Sequence, residues 1–175
     1  MRITDNLVLF WRADEVYSNG HPAFFFDGQG RRFANSEQYM MWAKAFLMGD
    51  LEAAECMFLH RDPRLLKDLG RQVRNYREDL WEQHRLAVMV CGCFFKFSQN
   101  PAMAMQLLTT GDLELVEASP YDCVWGIGLE EGDPRCLDRA QWRGRNLLGE
   151  ALMIVRDLLA RQAALPEQYL VWERR

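Results

Sequence analysis

From Leu86 to Phe95 the chain carries no charged side chain, and this run follows Glu78–Arg85 with no Pro or Gly at the junction. The pattern predicts a long helix over about 78–97 whose second half is apolar on every side, and such a helix belongs in the middle of a core. The apolar run is about half the roughly 20 residues needed to cross a bilayer, so a membrane span is not expected. A chain of 175 residues can close one core of this kind, burying roughly 70% of its unfolded surface. Residues 1–175 therefore read as one domain, with 163–175 as a C-terminal tail.

Around that helix the pattern is strand-like first and helical afterwards. Leu7–Trp11 is apolar and β-prone, and Ala23–Phe26 leads through Asp27-Gly28-Gln29-Gly30 into Arg31–Phe33 as a hairpin. Asn35 with Gln38 resembles a capping box and opens a helix from Ser36 to about Met48, which Gly49-Asp50 ends. Further helices are expected at Leu51–Leu59, from Pro63 to Gly70-Arg71, from Asn100-Pro101 to Thr109, and at Arg145–Gln162, with an extended piece at Leu113–Ala118. The expected class is mainly α with a small β element (α+β).

Composition excludes several functions. A net charge of −4 gives no global attraction to polyanions, so any nucleic-acid contact needs a local basic patch. Five cysteines are an odd number set in apolar or helical stretches, which argues for free thiols and against a disulfide framework. No basic-then-apolar signal opens the sequence, and the cytoplasm is the expected compartment. His84, Cys91 and Cys93 have no second ligand pair at zinc spacing, so neither metal nor cofactor is expected. Gly-x-Ser-x-Gly elbows and phosphate loops are absent.

Candidate chemistry gathers in two places. In the first helix Glu37 and Lys44 are seven apart, projecting within about 20° of one another and about 10 Å apart along the axis. That is long for an ion pair and suits two groups gripping a small ligand, whereas a solvated Glu/Lys face is the plainer alternative. The neighbours Tyr39, Met40, Met41, Trp42, Ala43, Ala45 and Phe46 leave little polar surface for such a face. A desolvated lysine loses affinity for its proton and can attack the anomeric carbon of a sugar, while a nearby carboxylate stabilises oxocarbenium charge or moves protons. The second place is Tyr121–Gly128 with Gly144–Gly149. There Asp122 is a carboxylate, Trp125 a stacking surface or a core residue, Gly126 and Gly128 permit close backbone approach or a plain turn, and Asn146 is a helix cap or an anion contact. Arg71, Arg74, Arg77 and Arg85 read as a salt-bridged surface, some of which could touch phosphate.

Taken in order, these residues resemble the NADAR family, also described as YbiA-like proteins, over about residues 9–160. The resemblance rests on Ser18-Asn19 with Pro22, Ser36-Glu37-Gln38-Tyr39 through Lys44-Ala45, Leu69-Gly70-Arg71, Trp81, and Lys96 to Asn100. It continues through Thr110-Gly111-Asp112, Leu115 to Pro120, Asp122, Trp125 to Gly128, and Gly144 to Gly149. It implies a mostly helical fold and N-glycosidase chemistry on ribosyl compounds, either ADP-ribose on a guanine base, possible on nucleic acid, or phosphoribosylamino-pyrimidine intermediates of riboflavin synthesis. Carried over residue by residue, it implies a ligand pocket of Asn19, Glu37, Lys44, Trp81, Asp122, Trp125 and Asn146, with Lys44 as the covalent or electrophilic residue. Together with the reading of the residues above, Lys44, Glu37 and Asp122 are the expected catalytic groups and Asn19, Trp81, Trp125, Gly126, Gly128 and Asn146 the expected substrate contacts. A non-catalytic module that binds ADP-ribose or NAD is the alternative. Gly20-His21 stand where the family usually places aromatic residues, and the loop Glu130–Gln141 is a candidate lid.

Overall fold

The computed structural model describes residues 1–163. Its elements are strands β1 (Arg2–Ile3), β2 (Leu7–Phe10), β3 (Phe25–Phe26), β4 (Arg32–Phe33) and β5 (Glu114–Glu117), with helices α1 (Ser36–Leu47), α2 (Leu51–Met57), α3 (Pro63–Arg71), α4 (Glu78–Ser98), α5 (Pro101–Leu108) and α6 (Leu147–Ala163). Two short 3₁₀ turns lie at Pro134–Leu137 and Arg139–Gln141. The α+β class expected from the sequence is the one found. Pro166, Tyr169 and Trp172 of the expected tail lie outside the described residues.

The helix boundaries follow from their caps. Asn35 Oδ1 accepts from the backbone N–H of Gln38, and Gln38 Oε1 accepts from that of Ala34. Gln38 Nε2 donates in turn to the carbonyls of Met57 and His60, which ties the start of α1 to the end of α2. Asp50 and Asp62 cap α2 and α3, and Pro63 sits in the first turn where its missing N–H costs nothing.

α4 packs against α1, α5 and α6, as its composition demanded. It is not buried on every side: Trp81, Arg85, Met89, Gly92, Cys93, Lys96 and Phe97 form the inward stripe, while Ala87 and Cys91 are exposed. Its apolar run serves helices on two flanks and leaves a third open.

β2 is the central strand of a three-stranded sheet, antiparallel to β1 and parallel to β5. All of Leu7–Phe10 is buried, and the even run of apolar residues is what a strand covered on both faces requires. Val8, Phe10 and Leu115 face the helices, whereas Leu9 and Val116 join Ala118, Ile127, Leu129 and Cys136 in a second cluster. The loop Glu130–Gln141 packs on this outer face, with Trp142 Nε1 donating to the Cys136 carbonyl at 2.9 Å. It is a cover for the sheet, not a lid on the cavity described next.

Candidate active site

The parallel pairing sends the carboxyl ends of β2 and β5 to the same edge, and open sheets with parallel strands place ligand sites there. A cavity of about 620 Å³ opens at that edge. Trp11, Arg12 and Ala13 continue from β2 into its wall, as do Glu117, the last residue of β5, and Ser119 just beyond it. One face of α1 supplies Glu37, Met40, Met41 and Lys44, whose spacing of three, four and seven is one helical stripe.

Opposite α1, α3 presents Arg64, Lys67 and Arg71, again at spacings of three and seven. The two helices approach closely because residue 70 is glycine: a Cβ there would sit 2.1 Å from Met41 Sδ. The same approach brings the Gly70 carbonyl to Lys44 Nζ, which donates to it at 2.7 Å and lies 4.5 Å from the centre of the Tyr76 ring. Desolvation lowers the Lys44 pKa from the ordinary lysine value. Lys44 shares the cavity with Glu37 and Asp122 but forms no ion pair with either; Lys67 is the cation near Glu37, with Nζ 3.8 Å from Oε2.

The floor is acidic and incompletely satisfied. Glu37 is 1% exposed, and its Oε1 has no hydrogen-bond partner. Burial, only partly offset by Lys67, pushes its carboxyl up to about 7. Glu117 Oε2 is likewise buried without a partner, and burial followed by the nearby Asp122 charge pushes that group up to about 8. Asn19 adds a third orphaned atom, Oδ1. Its position is fixed from behind, where its carbonyl accepts from the Glu37 N–H and buried Lys96 Nζ donates to the Val16 and Ser18 carbonyls at 2.7 and 2.9 Å. Three of the six buried side-chain atoms without partners among the described residues therefore belong to cavity-lining residues. An orphaned buried oxygen costs about 1–3 kcal/mol, and the fold concentrates this cost in one cavity.

Of the residues expected from sequence, Asn19, Glu37, Lys44, Asp122 and Trp125 line this cavity. Trp81, Gly126, Gly128 and Asn146 do not. Trp81 is 5% exposed within the main core. Gly126 and Gly128 serve the turn: a Cβ on Gly126 would meet the Glu117 carbonyl at 2.8 Å, and Gly128 has φ +68°. Asn146 turns inward, its Oδ1 accepting from the Glu117 N–H and its Nδ2 donating to the Leu115 carbonyl, both at 2.9 Å. It supplies β5 with the hydrogen bonds of a neighbouring strand. Among the four arginines read as surface, Arg71 lines the cavity, while Arg74, Arg77 and Arg85 pair with Asp50 and Glu52, with Asp79, and with Glu78 and Glu82.

The sequence reading passed over Glu117, Lys67, Arg64, Arg12, Trp11 and Tyr121. Glu117 carried a signal, an acid at the end of the otherwise apolar Leu115-Val116 run. The basic stripe of α3 was also visible as a three-and-seven spacing. Trp11 and Tyr121 come together only through the fold, their rings 5.9 Å apart at the rim.

A mainly helical protein with a cavity at the carboxyl ends of a parallel strand pair is the class that fold and site define. The chain belongs to the NADAR domain family, whose profile matches residues 9–160. It is 42% identical over 171 residues to protein irg-1 of Caenorhabditis elegans, covering 89% of this chain and 81% of that one. It is 37% identical over 164 residues to N-glycosidase R617 of Acanthamoeba polyphaga mimivirus, covering 88% and 96%. The NMR structure of the Escherichia coli protein YbiA superposes with a TM-score of 0.73 at 25% identity, over 93% of this chain and 89% of that one.

Proposed function

We propose that the chain is an N-glycosidase that hydrolyses the bond between C1 of a phosphate-bearing ribose and a nitrogen base, without metal or cofactor. The observation that carries this reading is one cavity with an acidic, partly orphaned floor, a half-buried lysine and a wall of cations. The mimivirus relative named as an N-glycosidase supports the same reaction class. The volume of about 620 Å³ suits a small ligand.

Lys44 is the nucleophile. Its lowered pKa raises the neutral fraction of the amine, which attacks C1 and holds the sugar as an imine until water releases it. Glu37 and Asp122 face the developing positive charge at C1 and handle protons. Arg12, Arg64, Lys67 and Arg71 hold phosphate, and Trp125, Trp11 and Tyr121 offer flat surfaces to the base. The substrates are ADP-ribosylated guanine, free or in nucleic acid, or the phosphoribosylamino-pyrimidines of riboflavin synthesis. We place the activity in the cytoplasm, in keeping with five cysteines that are all free.

Base release from both substrates, assayed side by side, tests the reading. Lys44→Ala is expected to lower turnover by roughly 10²–10⁴-fold while ADP-ribose still binds by calorimetry, and borohydride should trap a sugar on the intact chain but not on the variant. Tight ADP-ribose binding with no base release from either substrate would leave a binding module instead.

A further inference from the structure

The three carboxylates of the cavity are equipped differently. Asp122 Oδ1 accepts from the backbone N–H groups of Val124 and Trp125, each at 2.8 Å. Glu37 Oε2 has the Lys67 ammonium 3.8 Å away. Glu117 has neither kind of support: its Oε2 is buried and unpartnered, while its backbone N–H is held by Asn146 Oδ1, which fixes the strand end. The charged groups that bear on it are the Asp122 carboxylate, which raises its pKa, the Lys67 ammonium, which lowers it without cancelling the effect of burial, and the Glu37 carboxylate, which raises it further. Carboxylates crowded into a space poorly reached by water do not all ionise together, and the proton stays on the one with the fewest donors.

From this arrangement we infer that Glu117 is the general acid that protonates the departing nitrogen, with Glu37, beside Lys67, as its ionised counterpart. The inference rests on the N-glycosidase reading above. As the C1–N bond breaks, its electron pair moves onto nitrogen, which takes the proton from Glu117 Oε2. C1 is captured by the Lys44 amine, and a proton moves from Nζ to the ring oxygen as the C1–O bond opens to the protonated imine. Water then adds to C1 and gives up a proton to Glu37, the new hydroxyl proton passes to Nζ as the neutral amine leaves, and the ring recloses. Glu37 releases its proton to solvent, solvent reloads Glu117, and the sum is one water added across C1–N. Burial beside like charges, which holds the Glu117 proton up to about 8, keeps the acid loaded at neutral pH.

Leaving-group dependence is the test. Glu117→Gln is expected to cost roughly 10²–10⁴-fold in kcat on an N-linked base, yet only about threefold or less on 4-nitrophenyl riboside 5-phosphate, whose leaving oxygen departs without a proton. The alkaline limb of the kcat/KM profile on the N-linked base should vanish in Glu117→Gln and survive in Glu117→Asp, which keeps an acid one methylene back. Equal losses on both leaving groups, or an unchanged alkaline limb in Glu117→Gln, would overturn the assignment while leaving the glycosidase reading intact. An intact chain that cleaves no ribosyl-nitrogen bond would bring down that reading and this assignment together.

Discussion

Asn146 and Asn19 are buried to almost the same degree, 4% and 7% exposed, and sequence offered both as ligand contacts. Their surroundings are opposite. Asn146 spends its amide inside the protein, bridging the Glu117 N–H and the Leu115 carbonyl. Asn19 keeps Oδ1 unpartnered at the cavity. The contrast extends to charges. Along α2, α3 and the start of α4, Asp50 is bonded by Arg74, which holds its carboxyl well below the usual range, and Arg77 and Arg85 have carboxylate partners. On the cavity floor Glu37 and Glu117 carry orphaned oxygens. What separates a bracing residue from a cavity-facing one is therefore its unmet hydrogen-bonding capacity, since the two asparagines share residue type and burial.

The largest effect that can break this contrast is at Asn146. Asn146→Ala removes two buried hydrogen bonds, strands two backbone groups and leaves alanine at φ 57°, where a side chain is strained. A loss of about 2–4 kcal/mol is expected in urea unfolding. Asn19→Ala should cost under about 1 kcal/mol, because Oδ1 bonds nothing to lose, and should instead weaken ligand binding by roughly tenfold. Equal destabilisation by the two variants would remove the distinction.

Glu37 sharpens the contrast with a change of opposite sign. Its folded pKa is raised to about 7, so the native state holds this proton more tightly than the unfolded chain does. The associated stability is fully present below the unfolded value, and it is lost as pH rises through about 7. Glu37→Gln should accordingly be more stable than the parent at pH 9, by about 1–3 kcal/mol, with the gain fading in acid. Asp50 behaves in reverse: its depressed pKa stabilises the fold at neutral pH, and that contribution disappears as pH falls. Denaturant midpoints measured across pH separate the two, and a Glu37→Gln variant weaker than the parent at pH 9 would show the carboxylate to be structural.

How much of this was legible in the sequence depended on how local each cause is. Caps at Asn35, Asp50 and Asp62, the Pro at the start of α3 and the apolar run in α4 act within a few residues, and the helices they imply are present. Strand β1, the parallel register of β2 with β5 and the 3₁₀ cover at 134–141 depend on contacts distant in sequence, and no local pattern encoded them. The same divide runs through the site. Glu37 and Lys44 share one helix, so their common face could be computed from spacing. Glu117 could not be placed opposite them without the β2–β5 pairing, and Asn146 looked like a cap because its real partners, Leu115 and Glu117, lie across the sheet edge.

The smallest effect sought is on the basic wall, where two arginines have equivalent local chemistry and different positions. Arg71 bonds Asp68 and lines the cavity, whereas Arg77 bonds Asp79 and does not. Both guanidiniums are well exposed, so solvent screens both pairs and neither is a strong contributor to stability. If the wall holds phosphate, Arg71→Ala should raise KM by roughly fivefold, with a matching loss in competitive inhibition by inorganic phosphate, and kcat should change little. Arg77→Ala should leave all three unchanged. Salt supplies the control: at about 0.5 M, screening shortens the reach of a diffuse field to under about 5 Å, so an effect of Arg71 that survives there reports direct contact with the anion. An effect that disappears, or appears equally in Arg77→Ala, reports only the summed charge of that side of the molecule.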